Sequence, residues 1–394
     1  MSIQQICPVS GECMLFGRGE DTFTQWFSDI RKTPITSIRP IGGESENGFV
    51  RELTCKVNGY TSYVVLKSNL DRTSDNLYYE WWVGQYLNTY MDRFPLFVKT
   101  YGVYEYGSEV DKNLMRVNSD PDVLPYLKET NIRRSIEDAE NICIVVQQVY
   151  QAIPFRQLLD EYAVRPTDDL RHEILCVLYQ VYFVLPLIPG FSHNDLHYEN
   201  VILTPANGKY YQYVYTKEGK VFSFSCRYAA KIIDYGRCIY PGTTWLRKQL
   251  TRLVDDEAQR DAGYPWKYVG YEPCPTVDLL LVKVCMDYKV LPQTFFQDIM
   301  FEGSRYTIPE ESDCNALVYS KLSSKMVRQF RNSVPDMHDV VRQLEVLIKP
   351  HTYALPRACT IKVSDVAPMQ VDWPAAQAAG TRRRNKSRKR KTRR

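Results

Sequence analysis

The stretch FSHNDLHYENVIL, residues 191–203, restricts the possible folds of this chain more than any other feature of its sequence. Its thirteen positions hold two histidines, two acids and two asparagines, and they end in an apolar run typical of a buried strand. Few exposed helices or ordinary loops have this composition. The pattern therefore predicts a polar loop held beside a buried strand, with its side chains gathered for chemistry.

The order of patterns along the chain predicts an α+β protein with two lobes. Short alternating runs between turn residues predict three antiparallel strands over residues 36–66, and a helix from 75 to about 91 follows them. Beyond about residue 153 the patterns are mainly helical. We therefore expect a strand-rich N-terminal lobe, a mainly helical C-terminal lobe and a ligand cleft between them.

Composition divides the chain further. The predicted segments are an N-terminal extension (1–33), the strand-rich lobe (34–150) with an insertion at about 107–141, the mainly helical lobe (151–348) with an insertion at about 204–229, a linker (349–380), and a basic tail (381–394) predicted to be disordered.

Cysteine usage and hydropathy indicate a reducing compartment. The 11 cysteines have irregular spacing without a C-x-x-C pair, which favours neither a disulfide framework nor a structural zinc site. The first residues lack a basic region followed by a long apolar core, so no signal peptide is predicted. The most apolar window, residues 174–190, is interrupted by Gln180 and ends at prolines, which favours a buried core helix over a membrane span.

The net charge of +4 combines two different regions. The last fourteen residues, TRRRNKSRKRKTRR, hold ten of the 50 lysines and arginines and no acid, so the rest of the chain carries 40 basic and 46 acidic residues. Residues 382–394 are therefore expected to bind nucleic acid or another polyanion nonspecifically. A solvated tail, or a nuclear-localisation signal, is the equally weighted alternative.

Two motifs resemble those of the protein-kinase-like superfamily. HNDLHYEN resembles the catalytic loop H-R-D-L-x-x-x-N and matches it at His193, Asp195, Leu196 and Asn200. IIDYGR resembles the metal-binding D-F-G motif, with Tyr for Phe after Asp234. The resemblance implies that Asp195 is the catalytic base, that Asn200 and Asp234 bind Mg²⁺, and that His193 holds the loop in place.

The resemblance extends to the nucleotide side of the predicted cleft. GGESENGFV resembles the glycine-rich phosphate loop, and YVVLK resembles the strand that carries the phosphate-binding Lys67. Together the four motifs cover about residues 36–290 in the family's order. The nucleotide-binding residues implied in addition to Lys67 are Gly43, Ser45, Gly48 and Val50 in the loop, Glu80 as the lysine's partner, and Gln148 to Tyr150 in the hinge that pairs with adenine.

Three departures from the family concern regulation and the acceptor. Asn194 replaces the arginine that pairs with a phosphorylated activation loop in many protein kinases. His197 stands where serine/threonine kinases commonly carry lysine, and it would contact the transferring phosphate only when protonated, near or below about pH 6.5. No A-P-E follows Asp234, although Asp278 is placed to brace the catalytic loop.

The resemblance implies an ATP- and Mg²⁺-dependent phosphotransferase with a bilobal protein-kinase-like fold. We expect a serine/threonine protein kinase that transfers the γ-phosphate of ATP to a protein hydroxyl. One alternative is a small-molecule kinase of the aminoglycoside or choline phosphotransferase type, favoured by His197 and the missing A-P-E. The other is a non-catalytic pseudokinase scaffold tethered to nucleic acid by the basic tail.

A divergent kinase core followed by a basic tail is also similar to the serine/threonine kinase-like proteins of large nucleocytoplasmic DNA viruses. That resemblance implies the cytoplasm of an infected cell or a virion, which agrees with reduced cysteines. The basic tail also makes the nucleus a possible location, and no membrane association is expected.

Overall fold

The computed structural model describes most of the chain, namely residues 13–17, 19–42, 48–57, 59–70, 77–130, 141–149, 151–241, 273, 275–295, 301–302, 334–335 and 337–373. Helices α1–α8 span Glu20–Phe27, Leu77–Asn88, Glu109–Val117, Phe155–Val164, Asp168–Val184, Pro275–Asp278, Leu280–Asp287 and Met337–Leu347. Strands β1–β15 span Ile35–Pro40, Gly48–Val57, Tyr60–Asn69, Thr100–Glu105, Lys128–Glu129, Ile142–Gln147, Ile153–Pro154, Val201–Pro205, Tyr210–Lys217, Lys220–Cys226, Tyr228–Ile232, Phe301–Glu302, Val334–Pro335, Arg357–Ser364 and Gln370–Asp372.

The N-terminal region is rich in strands, which confirms that part of the prediction. Its six-stranded sheet has the order β1-β2-β3-β6-β4-β5, with every neighbouring pair antiparallel. The β2–β3 hairpin pairs Val57 with Tyr60, and its turn ends at Gly59, whose φ of 77° suits glycine. Helix α1, in the predicted N-terminal extension, buries Phe23 and Phe27 in the same apolar cluster as this sheet.

Helix α5 forms the centre of the larger apolar core. Together with the turn after it, Asp168–Leu187 is long and apolar enough to cross a membrane, but 83% of its most apolar window is buried inside the protein. Gln180, the polar residue within this window, donates to the Tyr228 carbonyl and accepts from the Ala230 N–H. Because its amide is satisfied by the adjacent strand β11, burial of this polar group carries little penalty.

A small antiparallel sheet, β11-β8-β7, connects the core to the polar loop at 193–200. Strand β8 begins directly after Asn200, and β11 ends just before Ile233 and Asp234. Val201 pairs with Ile232, and the Ile233 N–H donates to the Asn200 carbonyl at 3.0 Å. This pairing places the end of the loop and Asp234 side by side.

The second predicted insertion contains the β9–β10 hairpin, whose turn residues Glu218 and Gly219 both have positive φ. The structure differs from the predicted linker at 349–380, because residues 357–364 form β14, which pairs in parallel with β9. Cys359 and Ile361 of β14 are fully buried. β14 also pairs antiparallel with β15, but β9 is far away in sequence and no local turn signal points to it, so this pairing is not evident from the sequence. Residues 374–394, with the basic tail, lie outside the described part.

Candidate active site

A lysine on β3 joins three distant parts of the chain. Lys67 Nζ lies 2.8 Å from Glu80 Oε2 on α2 and 2.8 Å from Asp234 Oδ1, just beyond β11. The Lys67 side chain is only 22% exposed and that of Glu80 only 6%. If one member of this buried ion cluster were removed, the remaining charges would be uncompensated, which is costly. The cluster therefore keeps β3, α2 and the segment after β11 together.

Asp234 is held as a carboxylate at the edge of a cavity. Burial by itself raises its pKa, but the charge of Lys67 and its hydrogen bond, with help from Arg237, hold the pKa below its usual range. Its φ of 66° is left-handed, a conformation that aspartate tolerates better than most residues. Because a third of its side chain is exposed, it can take part in binding a ligand.

Two buried tyrosines fix the segment around Asp234. The Tyr235 hydroxyl accepts from the Val98 N–H at 2.8 Å and donates to the Ile232 carbonyl at 2.9 Å. The Tyr79 hydroxyl on α2, next to Glu80, donates to the Cys238 carbonyl. Tyrosine is suited to the position after Asp234 because its hydroxyl is fully bonded inside the core.

The polar loop is braced from below by Asp278, as the resemblance implied. The two oxygens of this buried carboxyl accept from the backbone N–H groups of His193 and Asn194, at 2.9 and 2.8 Å. Burial raises the pKa of Asp278 to about 7, although both hydrogen bonds act in the opposite direction. Asn194 has φ 60°, so its backbone turns sharply just before Asp195.

His193 is a neutral, fully buried ring. Its Nε2 donates to the Ile233 carbonyl at 3.0 Å, which ties the loop to the residue before Asp234. Burial lowers its pKa to about 4, and Nδ1 has no hydrogen-bond partner among the described residues. A second proton, on Nδ1, would be a buried N–H without a partner, so this ring stays neutral at pH 7 and holds the loop without transferring a proton.

The Asp195 carboxylate, 15% exposed, lies beside Asn200 and Arg237. Asn200 Nδ2 donates to the Asp195 backbone carbonyl at 2.8 Å and lies 3.5 Å from Oδ2. Arg237 Nη1 is 3.4 Å from the same Oδ2. Because Asn200 uses its amide nitrogen here, its amide oxygen is the atom suited to a cation.

His197 lies on the other side of Asp195, with Nε2 4.0 Å from Asp195 Oδ1. The Glu199 N–H donates to His197 Nδ1, so the neutral ring carries its proton on Nε2. Burial lowers the pKa of this ring as well. His197 is therefore neutral at pH 7 and supplies a donor, not a positive charge.

Some of these side chains line one cavity of about 780 Å³. Val50 and Val65 line it from the six-stranded sheet, and Ile202 lines it from the small sheet, with Ile233 just beyond β11. Lys67, Glu80, Asn200 and Asp234 form its charged end. A cavity with apolar walls and a cluster of charges is a suitable site for a nucleotide.

A bridge that sequence reasoning missed also lines the cavity. Glu52 on β2, 4% exposed by its side chain, accepts from Arg39 Nε at 2.5 Å and from Gln148 Nε2 at 2.8 Å. Gln148 thus lines the cavity as predicted for the hinge, but its side chain faces β2. The pairing of Arg39 with Glu52 across β1 and β2 is a cross-strand contact that strand alternation alone does not reveal.

The predicted phosphate loop is only partly described. Gly48 and Val50 line the cavity, whereas Gly43, Ser45 and Tyr150 lie outside the described residues. A side chain at Gly48 would collide with the Ser68 backbone carbonyl on β3, so close strand approach requires glycine here.

The donor set fits a magnesium ion. Within the described residues, no group of three or more His, Cys, Asp or Glu side chains is placed to hold a metal. Asp234 and Asn200 supply one carboxylate and one amide oxygen at the charged end of the cavity. Mg²⁺ takes few protein oxygens and completes its coordination with phosphates and water, so these two residues suit it.

Comparison with known proteins gives no family assignment. No family model and no curated protein matches the sequence. Among solved structures, the chain is similar to one described as WaaP in complex with acyl carrier protein, with 14% identity and a TM-score of 0.30 over 82% of this chain and 98% of the other.

Proposed function

We propose that this chain has a bilobal protein-kinase-like fold and is an ATP- and Mg²⁺-dependent phosphotransferase. The observation that carries the proposal is the pairing of Lys67 with both Glu80 and Asp234, at 2.8 Å each, at the end of a cavity that Asn200 also lines. These residues come from β3, α2, the loop before β8 and the segment after β11. They would serve one reaction, because phosphoryl transfer depends on positioning and charge.

The cavity accounts for nucleotide binding. The purine would lie between Val50 and Val65 on one side and Ile202 on the other, with its edge against the backbone at 147–149. Its phosphates would reach Lys67, whose ion pairs with Glu80 and Asp234 hold the ammonium group in position. Asn200 and Asp234 would hold Mg²⁺, which neutralises phosphate charge when bound.

Asp195 is the group placed to act on the acceptor. Its carboxylate would accept the proton of the acceptor hydroxyl as that oxygen bonds to the γ-phosphorus. The bond from the γ-phosphorus to the β–γ bridging oxygen breaks, and the electron pair leaves with ADP. His193 is neutral and bonded to the Ile233 carbonyl, so it maintains the loop and takes no proton.

A protein serine or threonine is the acceptor we propose first. A small hydroxylated molecule is the second candidate, because His197 is neutral where protein kinases commonly carry a lysine. A non-catalytic scaffold is less well supported, since such a protein has no chemical need for the charge cluster of Lys67, Glu80 and Asp234 together with Asp195.

The test compares Asp195→Asn with the wild type and with Asp169→Asn, an exposed aspartate on α5. We expect Asp195→Asn to lower phosphate transfer from γ-labelled ATP by about 10²- to 10⁴-fold, the usual contribution of a general base. Its dissociation constant for MgADP should remain within about twofold of wild type, because this carboxylate does not face the bound nucleotide. Asp169→Asn should behave as wild type in both assays.

Each acceptor class gives a distinct result. Label on a basic protein substrate, absent with Asp195→Asn, supports the protein kinase. ATP binding and slow hydrolysis without protein labelling favour the small-molecule acceptor. A wild-type protein that binds no MgADP in calorimetry contradicts the phosphotransferase altogether.

A further inference from the structure

The proposed reaction needs positive charge on the acceptor side of the transferring phosphate. Lys67 lies at the nucleotide side, between two carboxylates. His197 occupies the position where the resembling family commonly carries a lysine, and it is a neutral N–H donor at pH 7. A different cation beside Asp195 would supply this positive charge.

Arg237 is such a cation. Its Nη1 lies 3.4 Å from Asp195 Oδ2, and its side chain is only 13% exposed. Its charge also contributes to the lowered pKa values of Asp234 and His197. The guanidinium therefore lies among the proposed catalytic groups, not on the outer surface.

The backbone that carries Arg237 is fixed to the catalytic loop. Cys238 N–H donates to the Tyr235 carbonyl at 3.2 Å, closing a tight turn around Arg237. One residue further on, Ile239 and Ser192 exchange two backbone hydrogen bonds, at 2.8 and 3.0 Å. Arg237 is thus held between Asp234 and the bridge of Ile239 with Ser192 at the start of the loop, so its side chain approaches Asp195 from a constrained position.

We propose that Arg237 is a further catalytic residue, which binds the transferring phosphate from the acceptor side while it orients the Asp195 carboxylate. The inference rests on the proposed function. Arg237 exchanges no proton: the acceptor proton goes to Asp195, and the guanidinium stabilises the negative charge spread over the phosphoryl oxygens. It does so next to His197, whose neutral ring can donate a hydrogen bond from Nε2 without adding charge.

The geometry suits this double role better than that of a purely structural ion pair. Strong charge-assisted hydrogen bonds have lengths of about 2.7–2.9 Å, so 3.4 Å leaves the contact with Asp195 loose. A planar guanidinium with five donors can hold a carboxylate and a phosphate together. A lysine has a single charged centre and cannot bridge both partners in the same way.

The test uses MgADP with aluminium fluoride, which mimics the phosphoryl group in transfer and needs no known acceptor. Affinity for this complex and for MgADP alone is measured by calorimetry for wild type, Arg237→Gln and Arg237→Lys. The matched control is Arg156→Gln, because Arg156 also pairs with an acid of the same loop segment, Glu199, but both side chains are about half exposed. Phosphate transfer and thermal unfolding are followed alongside.

We expect Arg237→Gln to lose about 10³-fold or more in transfer, in line with other arginines that contact a transferring phosphate, and Arg237→Lys to lose about 10- to 100-fold. The affinity for the aluminium fluoride complex should fall by a similar factor, with MgADP affinity within about threefold of wild type. Arg156→Gln should match wild type throughout.

Three results would overturn the inference. The first is unchanged phosphate transfer in Arg237→Gln. The second is an equal loss of affinity for MgADP with and without aluminium fluoride. The third is a fall in phosphate transfer without a matching fall in affinity for the aluminium fluoride complex. Arg237→Lys, which keeps the charge, provides the same comparison should Arg237→Gln not fold. A wild type that gains no affinity for MgADP from aluminium fluoride contradicts the proposed function itself, which separates the two failures.

Discussion

Burial determines the protonation of single residues in this site, and His193 shows the consequence most clearly. Its pKa is about 4 in the folded protein, compared with an ordinary value near 6.5, so the unfolded chain binds more protons between these limits. The stabilising contribution of the neutral ring is fully present above about pH 6.5. It is lost as pH falls toward 4.

His193→Gln should therefore weaken the dependence of stability on acid. A glutamine amide can still donate to the Ile233 carbonyl but does not titrate. From pH 7 to pH 4, the free energy of unfolding of wild type should fall by up to about 3 kcal/mol more than that of the variant. Urea denaturation at several pH values measures this difference. Since both proteins retain Asp278, parallel pH profiles would contradict the assignment of a buried neutral ring.

Motif order predicted a group of residues that the structure brings together: Lys67, Glu80, Asn200 and Asp234 line one cavity, and Asp195 adjoins Asn200. Arg237 and Glu52 were not found. In the sequence, Arg237 is simply an arginine that follows a glycine. Its approach to Asp195 depends on the turn at 235–237, which the sequence does not reveal. Glu52 lies beside a predicted turn, and its contacts depend on pairing of β1 with β2 and on a distant hinge.

At the scale of secondary-structure elements, the strands that follow local turns were predictable, and the strand without such a turn was not. The β2–β3 and β9–β10 hairpins have glycine turns between alternating runs. Strand β14 pairs antiparallel with the nearby β15, but its other neighbour is β9, with which it pairs in parallel from more than a hundred residues away, so only the folded chain reveals that pairing.

Ile361 tests whether β14 belongs to the folded core. Its side chain is fully buried, in the apolar cluster that includes α5 and β9, so Ile361→Ala should lower the free energy of unfolding by about 2–5 kcal/mol. The neighbouring Lys362 is half exposed and pairs with Asp372 on the surface, so Lys362→Ala should cost under about 1 kcal/mol. Chemical denaturation compares the two. Equal, small losses of unfolding free energy in both variants would instead support the predicted linker.

At the scale of the whole molecule, charge divides the chain into an acidic body and a basic terminus. Residues 381–394 hold ten lysines and arginines, while the remainder has six more acids than bases. We expect the full chain to bind duplex DNA with an affinity that falls steeply with salt, since each neutralised phosphate adds about −0.9 to the logarithmic slope. Fluorescence titrations at several salt concentrations measure the slope.

A variant with residues 381–394 replaced by a glycine–serine segment of equal length is the matched control. It should lose DNA binding at every salt concentration and retain phosphate transfer. DNA binding that persists in this variant would assign the interaction to the acidic body instead, and a loss of transfer would show that the terminus takes part in the reaction.

The pairing of β14 with β9 also determines when a nascent chain can finish folding on the ribosome. The residues of the proposed catalytic site up to Arg237 emerge well before residues 357–364, yet one edge of β9 has no partner until β14 arrives. An unpaired edge next to buried aromatic side chains such as Tyr213 and Tyr215 invites aggregation. A premature stop codon between Arg237 and β14 would release a chain with its proposed catalytic residues but an open core, and such a chain would be a substrate for chaperones and proteases.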